Sequence, residues 1–277
     1  MLNSNLTLRQ NQPPRPIVSA VSYLNTTPLV WGFERTPLGD SINLEFALPS
    51  ECADHVRDGA ADIGILPVIE IERQGLEWLP EVGICCRGPV RSILLISRTP
   101  LSKVASLAAD IGSRTSVTLA RILLAERFGS EPRVFGRRAE LTDMLQEADA
   151  ALIIGDPALR LDPIQLRRDY EVLDLGEEWM NLTGLPMIFA LWSGRPDKLD
   201  RSLQSLFVES CRYGLAHLDE ILAQECAPRN IPEALGREYL TRHIAFELED
   251  RDYQGMSAYL RMARDLANLK VSGSVPV

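Results

Sequence analysis

The sequence lacks the features that define several classes of protein. It has no apolar run long enough to span a bilayer, and no zinc, EF-hand, phosphate-loop or dinucleotide motif. Its three histidines, His55, His217 and His243, are isolated from one another and from the cysteines. We therefore expect no membrane span and no dedicated metal site, and an activity that needs no metal or nucleotide cofactor.

Cysteine is scarce, and a secretory signal is absent. The cysteines are odd in number and lack metal-type spacing. They are Cys52, Cys85, Cys86, Cys211 and Cys226. The segment Met1–Pro16 is polar and contains prolines but no hydrophobic stretch, which predicts a disordered leader and not an export signal. Both features are typical of the reducing cytoplasm, where we expect the protein to reside.

Positive charge is also in short supply. The net charge of −9 disfavours nucleic acid and anionic membranes as partners, so an anionic ligand must be held by local donors. The chain has 277 residues, of which 45% are hydrophobic and 24% charged. That composition predicts a globular protein with one large core or two modest ones. The oligomeric state stays open.

Strands and helices alternate along most of the chain, which predicts an α/β fold with mainly parallel sheets. Two stretches, Ala60–Pro67 and Ala148–Pro157, share a layout. Each follows an amphipathic helix, contains a buried strand and ends in a proline that can start the next helix. They predict two similar lobes. From Asp197 onward the pattern is helical, and this tail is expected to pack back on the first lobe.

The boundaries of the lobes follow from the strands that would connect them. Residues 17–97 and 191–277 are assigned to lobe 1, and residues 98–190 to lobe 2. The two crossings between lobes are predicted at Ser92–Ser97 and Met187–Trp192. A ligand would lie in the cleft between the lobes, since concave sites favour domain interfaces.

A polar turn, Ser22–Leu29, follows the first predicted strand, Ile17–Val21. Pro28 suits the first turn of a helix because its φ is fixed and it has no N–H to lose. The turn therefore places Asn25 and the free N–H groups of a helix start at the carboxyl end of a strand. Open α/β sheets bind small ligands at that location. The alternative is that Asn25 only caps the helix.

A second polar segment, Ser113–Ser116, leads into an apolar helix. Three hydroxyl groups, the guanidinium of Arg114 and unpaired backbone N–H groups would meet at one helix start. This combination predicts a receptor for a carboxylate or phosphate. The alternative is a serine-rich cap beside a solvated arginine.

Two further segments carry polar groups at strand ends. Arg91 and Ser92 stand at the entrance of an apolar strand, and in a regular strand only one of them can face the cleft. Asp156 follows the strand Ala150–Ile154 and precedes Pro157. It is either a helix N-cap or a ligand contact, and capping is the preferred interpretation.

Taken in order, these segments resemble one protein family. Together with Asp174–Pro186 they are similar to the chorismate dehydratases of the futalosine route to menaquinone, over most of Ile17–Trp192. The helical tail is less diagnostic. The resemblance implies a two-lobed periplasmic-binding-protein-like (type II) fold and a cofactor-free carbon–oxygen lyase (hydro-lyase) of the cytoplasm. It would convert chorismate to 3-[(1-carboxyvinyl)oxy]benzoate and water in menaquinone biosynthesis.

The resemblance also implies roles for individual residues. Asn25 and Ser92 would be catalytic, at the reacting ring. The substrate-binding residues would be Tyr23, Leu24, Arg91, Ser113, Arg114, Thr115, Ser116, Gly155 and Asp156. Of these, Ser113–Ser116 would hold a carboxylate. The approach Ala109–Gly112 departs from the family pattern, so which residue is the donor there stays open.

The implied reaction removes a ring hydroxyl and a neighbouring hydrogen, and the ring becomes aromatic. The enzyme then needs mostly orientation and polarisation. Neither Asn25 nor Ser92 is a good base at neutral pH, and one possibility is that a substrate carboxylate removes the proton.

Two other functions stay open. A non-catalytic solute-binding protein for a small carboxylate is disfavoured by the missing export signal. The sister 1,4-dihydroxy-6-naphthoate synthase is disfavoured by the segment Tyr23–Asn25.

Overall fold

The computed structural model describes residues 15–272. The predicted leader lies outside them, apart from Arg15 and Pro16. The strands are β1 Ile17–Val21, β2 Asn43–Ala47, β3 Ile63–Pro67, β4 Glu77–Cys86, β5 Ile93–Ser97, β6 Ser106–Asp110, β7 Arg133–Arg137, β8 Ala150–Ile154, β9 Glu171–Asp174, β10 Met187–Gly194 and β11 Ala245–Glu247. The α-helices are α1 Thr27–Arg35, α2 Pro49–Arg57, α3 Val68–Gln74, α4 Thr115–Phe128, α5 Leu141–Glu147, α6 Gly155–Leu159, α7 Pro163–Leu166, α8 Leu175–Thr183, α9 Arg201–Ala216, α10 Leu218–Glu225, α11 Glu233–Glu238 and α12 Asp250–Ser272.

The described strands form two sheets, one in each lobe. The first has the order β11-β4-β10-β3-β1-β2 and the second β7-β6-β8-β5-β9. β1 pairs in parallel with β2 and β3, as β6 does with β7 and β8. β10 is antiparallel to β3 and β4, β5 to β8 and β9, and β11 to β4. The sheets are therefore mixed, and the expectation of mainly parallel sheets was wrong.

The direction of β5 and β10 explains this mixture. The parallel strands β1, β3, β6 and β8 end at the cleft. β5 and β10 each begin where the chain has just passed from the other lobe, so they start at the cleft and run the opposite way. Consequently both the carboxyl ends of parallel strands and the first residues of antiparallel strands meet in the cleft.

The strands predicted as crossings between the lobes each pair within a single sheet. Ile93–Ser97 pairs with β8 and β9 in the second sheet. Met187–Gly194 pairs with β3 and β4 in the first. The chain passes between lobes just before each strand, through residues 87–92 and 175–186.

The helical tail packs on the first lobe, where α9 lies close against α1. A Cβ added to Gly32 would come within 2.5 Å of the Ser210 Cα, and one added to Gly214 within 2.1 Å of the Pro28 carbonyl oxygen. Glycine therefore permits this close helix contact. The tail is not wholly helical, because β11 adds an edge strand to the first sheet. Within residues 15–272 no helix is both long and apolar enough to cross a membrane.

Candidate active site

The cleft between the lobes contains a cavity of about 570 Å³, a volume that includes its open mouth. Apolar side chains from the first sheet, among them Val21, Ile65 and Phe189, line part of its wall. Two groups of polar residues also border it. One comprises Asn25 and Ser92, which we call the amide–hydroxyl wall, and the other is Ser113–Ser116 at the start of α4, which we call the helix-start wall.

Asn25 lies in a short 3₁₀ turn, Leu24–Thr26, between β1 and α1. Pro28 sits in the first turn of α1, as the sequence predicts. Asn25 does not cap this helix, because Thr26 occupies the N-cap position and no side chain bonds to the free N–H groups there. Its Oδ1 atom is buried without a hydrogen-bond partner among the described residues. The amide therefore has unused hydrogen-bonding capacity at the cavity.

Ser92 faces the cavity and Arg91 does not, so only one of this pair reaches the cleft. Arg91 has a left-handed φ of 65°. Its backbone N–H donates to Asp174 Oδ2 at 2.6 Å. Its guanidinium donates to the carbonyl oxygens of three residues in and after α6, at 2.6–3.3 Å. The predicted substrate contact of Arg91 is thus not what its geometry favours, because its donors are bound to backbone.

Ser92 is held from behind by a residue of the tail. The hydroxyl of Tyr239 donates to Ser92 Oγ at 2.8 Å, and Tyr239 is 1% exposed. Burial, chiefly, and the charge of Asp156 raise the pKa of Tyr239, so its hydroxyl stays protonated. Tyr239 could not be found from the sequence, since nothing local to it links it to Ser92, 147 positions away.

One hydroxyl of the helix-start wall lacks a partner among the described residues, while that of Thr115 donates to the Phe189 carbonyl oxygen at 3.4 Å. Arg114 occupies the N-cap position of α4 without a side-chain capping bond, so the alternative of a serine-rich cap is not what forms here. Ser113 Oγ is buried and has no partner among the described residues. Ser116 is also buried and borders the cavity. The first N–H groups of an α-helix have no partner within the helix. An anion in the cavity would satisfy these donors.

The guanidinium of Arg114 is committed elsewhere. It donates to both carboxylate oxygens of Asp54 at 2.9 Å, and to Glu70 Oε2 at 3.0 Å. Asp54 and Glu70 belong to the first lobe, whereas Arg114 belongs to the second. The predicted contact between Arg114 and a substrate carboxylate therefore competes with an ion cluster that joins the lobes.

Asp156 and Leu24 form a second link between the lobes. The Leu24 N–H donates to Asp156 Oδ1 at 2.9 Å, and Arg229 lies 3.3 Å from Asp156 Oδ2. Asp156 makes no capping bond to α6, so the preferred interpretation of this residue was wrong. Leu24 is fully buried in the core. Neither residue borders the cavity, and the bond between them lies next to Asn25 in the chain.

Gly155 borders the cavity and accommodates Tyr23. Its φ is +62°, and an added Cβ would lie 2.5 Å from the Tyr23 ring. Burial first, and then the charges of Asp110 and Asp156, raise the pKa of Tyr23. Tyr23 thus remains a neutral phenol that spans from the first lobe to the second.

Asp110 is a carboxylate that the sequence analysis did not single out as a site residue. It ends β6, directly before the helix-start wall, and is 6% exposed. Oδ1 accepts the Gly112 N–H at 3.0 Å, while Oδ2 has no partner among the described residues. Burial raises its pKa above the ordinary 3.8. No strand was predicted at Ser106–Asp110, and Asp110 was named only within the approach Ala109–Gly112 that departs from the family pattern.

Bases and metal ligands are missing from the described part of the cavity wall. No Asp, Glu, His, Lys or Cys is among the residues that border it. Over residues 15–272, no cluster of three or more His, Cys, Asp or Glu side chains is arranged to hold a metal ion. The wall therefore offers hydroxyl groups, an amide, a helix start and the ion-paired guanidinium of Arg114.

Residues 16–265 match a family described as menaquinone biosynthesis. The chain belongs to that family. A chorismate dehydratase from Thermus thermophilus is 28% identical over 257 residues, which cover 84% of this chain and 94% of that protein. A chorismate dehydratase from Campylobacter jejuni is 29% identical over 181 residues, covering 64% of this chain and 66% of that protein.

Solved structures agree on the fold of this member of the menaquinone biosynthesis family. A Candida albicans protein described as having the generic periplasmic binding protein fold superposes with a TM-score of 0.66 at 15% identity, covering 92% of each chain. The periplasmic aliphatic sulphonate binding protein of Escherichia coli gives a TM-score of 0.62 at 12% identity, covering 94% of this chain and 89% of that one. The predicted periplasmic-binding-protein-like fold is confirmed.

Proposed function

We propose that this protein is a chorismate dehydratase, a hydro-lyase that converts chorismate to 3-[(1-carboxyvinyl)oxy]benzoate and water in menaquinone biosynthesis. The observation that carries the proposal is the pairing of the two cavity walls. Asn25 and Ser92 offer hydrogen bonds to a neutral leaving hydroxyl, and the start of α4 offers donors to a carboxylate. The family and its chorismate dehydratase relatives support the same substrate.

The reaction balances without an added reactant. One ring C–O bond and one neighbouring ring C–H bond break, the hydroxyl and the proton leave as water, and the ring becomes aromatic. The enzyme contributes orientation, together with hydrogen bonds that stabilise the departing hydroxyl. Asn25 and Ser92 perform the second task, because both border the cavity, where Asn25 Oδ1 has no partner among the described residues and Ser92 is held by Tyr239.

The proton acceptor is assigned to the substrate. No side chain with a suitable base borders the described cavity wall, and the phenol of Tyr23 has a raised pKa, so it stays protonated. A carboxylate of chorismate held near the ring hydrogen is the base that remains. The role of the helix-start wall is then to hold the substrate so that this carboxylate reaches the hydrogen.

We assign the reaction to the cytoplasm and to a protein that acts without metal or organic cofactor. All five cysteines are buried free thiols, which is typical of a reducing compartment. Burial raises the pKa of Cys52 to about 11 and that of Cys211 to about 12, so neither is a reactive thiolate at neutral pH.

The test is to incubate the purified protein with chorismate and to identify the product by mass spectrometry. We expect a product that is lighter than chorismate by one water and retains the enolpyruvyl ether. The Asn25→Ala variant is the control and should form this product more slowly. Chorismate that is bound but recovered intact would favour a solute-binding protein. Turnover of a cyclic futalosine derivative in its place would favour the sister synthase.

A further inference from the structure

Tyr239 begins a π-helical turn, Tyr239–His243, between α11 and β11. Such turns are rare and are found frequently at functional sites. Although the tail is distant in sequence from the motifs that border the cavity, Tyr239 brings its hydroxyl to the back of the amide–hydroxyl wall. It is buried, and it does not border the cavity itself.

The direction of the hydrogen bond between Tyr239 and Ser92 determines where the Ser92 proton can point. The Tyr239 hydroxyl donates, and Ser92 Oγ accepts. A serine hydroxyl has one hydrogen to donate as well as two lone pairs. Apart from the Tyr239 oxygen, Ser92 Oγ has no side-chain or backbone partner among residues 15–272, and Ser92 borders the cavity. The hydrogen is therefore left for a ligand.

The surroundings of Tyr239 keep its hydroxyl protonated, so that it can donate a hydrogen bond to Ser92. Burial and the nearby charge of Asp156 disfavour the phenolate. Hydrogen bonding by the side chains of Ser92 and Asn25 lowers the pKa of Tyr239, against the effect of burial. Asn25 therefore lies close to the same hydroxyl. Tyr239 therefore stands behind both residues that we assign to the reacting ring.

We propose that Tyr239 is a positioning residue. It does not contact the substrate, but it orients the Ser92 hydroxyl so that this group donates into the cavity. This proposal rests on the proposed function, because it assumes that Ser92 acts on a bound substrate. Since the bond from Tyr239 occupies one lone pair of Ser92 Oγ, fewer orientations remain for the Ser92 hydrogen. This restriction favours the orientation in which the hydrogen points to the departing hydroxyl. Its effect should appear in turnover more than in binding.

The test is Tyr239→Phe, which removes one oxygen and leaves the ring in place. We expect kcat for chorismate dehydration to fall on the order of tenfold, the rate equivalent of about one hydrogen bond, with KM little changed. The decisive readout is a double-mutant cycle with Ser92→Ala. If Tyr239 acts through Ser92, then adding Tyr239→Phe to Ser92→Ala slows the enzyme no further.

Tyr253→Phe is the matched control. The Tyr253 hydroxyl accepts the Glu81 N–H at 3.3 Å and does not border the cavity. Its variant should retain the wild-type kcat. Thermal unfolding of each variant separates loss of the fold from loss of orientation. If Tyr239→Phe proves unfolded, a fluorinated tyrosine at position 239 keeps the hydroxyl but ionises more readily, and its kcat should fall at an alkaline pH that the wild type tolerates.

The possible failures differ in kind. A wild-type protein that leaves chorismate unchanged overturns the proposed function and this inference with it. A wild-type protein that dehydrates chorismate, with a folded Tyr239→Phe variant of equal kcat, overturns the role of Tyr239 alone. The same conclusion follows if the slowing by Tyr239→Phe is undiminished in the Ser92→Ala background.

Discussion

On the amide–hydroxyl wall the buried Tyr239 bonds to Ser92. On the helix-start wall, by comparison, Arg114 and Thr115 bond to other parts of the protein, and the Ser113 hydroxyl is left over. Ser92 accepts a hydrogen bond from Tyr239. Asn25 directly follows Leu24, whose backbone N–H donates to Asp156. Ser113 Oγ, by contrast, has no partner among the described residues. The first wall is preorganised for directional contact with a neutral group, and the second is left with unsatisfied donors that an anion would complete.

The largest effect should come from the amide–hydroxyl wall. Asn25→Ala removes a donor and an acceptor directed at the reacting ring, so we expect kcat to fall roughly 10²- to 10³-fold, as for loss of one preorganised donor. The chorismate assay by mass spectrometry measures this directly. Stability should change little, since Asn25 Oδ1 has no hydrogen-bond partner to lose within residues 15–272. Turnover close to that of the wild type would remove Asn25 from the catalytic role.

A smaller effect, on binding, is expected from the helix-start wall. Ser116→Ala should weaken binding of the benzoate product by about 1.5–3 kcal/mol if its hydroxyl bonds to a carboxylate. Calorimetry with the product avoids turnover during the measurement. Ser257→Ala, an exposed serine whose hydroxyl bonds to the Tyr253 carbonyl, is the control. Equal affinities of Ser116→Ala and the wild type would exclude Ser116 from the carboxylate contact.

Arg114 separates the two functions of the helix-start wall, ligand binding and the link between lobes. Burial alone would raise the pKa of Glu70, but the hydrogen bonds from Arg73 and Gln74 and the charge of Arg114 together lower it. We expect Arg114→Met to cost roughly 1–2 kcal/mol of unfolding free energy, because it breaks bonds to a part-buried carboxylate.

Urea denaturation with and without product distinguishes the two functions of Arg114. If the guanidinium serves the lobes, the product should stabilise the variant and the wild type by similar amounts. A variant of normal stability that no longer responds to product would instead make Arg114 a direct ligand of the carboxylate.

The sequence predicts which residues lie at this site better than it predicts their hydrogen-bond partners. The positions of Asn25, Ser92 and Ser113–Ser116 follow from strand ends and helix starts, which share one edge in an open α/β fold. The bonds from Arg114 to Asp54 and from Tyr239 to Ser92 depend on how separate segments pack, across 60 and 147 positions. No local pattern encodes them.

The crossings between lobes were misplaced for a similar reason. An apolar strand such as Ile93–Ser97 has the same sequence pattern whether it bridges the lobes or pairs within one sheet, and only its hydrogen-bonded neighbours decide. The same limit applies to Asp156. The local pattern of aspartate before proline indicated a cap, while the actual partner, the Leu24 N–H, lies 132 positions away.

The smallest expected effect concerns Asp110, which adds a buried carboxyl group behind the donors of the helix-start wall. Its pKa is raised by burial, so the folded protein binds a proton more tightly at this site than the unfolded chain does. The stabilisation is fully present below the ordinary pKa of 3.8 and is lost as the pH rises through the folded pKa. Asp110→Asn stays neutral, so its stability relative to the wild type should increase from pH 4 to pH 7.

Asp252→Asn provides a control of opposite sign. Burial alone would raise the pKa of Asp252, but the hydrogen bond from Arg87 and the Glu249 N–H outweigh burial and lower it. Its ionised form therefore stabilises the fold above the ordinary pKa, and that contribution is lost as the pH falls through the folded pKa. Urea denaturation from pH 4 to pH 7 should show that the free energy of unfolding of Asp252→Asn, relative to the wild type, falls as the pH rises. That of Asp110→Asn should increase over the same range. Parallel slopes for the two variants would mean that Asp110 is already ionised, and that the helix-start wall binds its anion beside a buried negative charge.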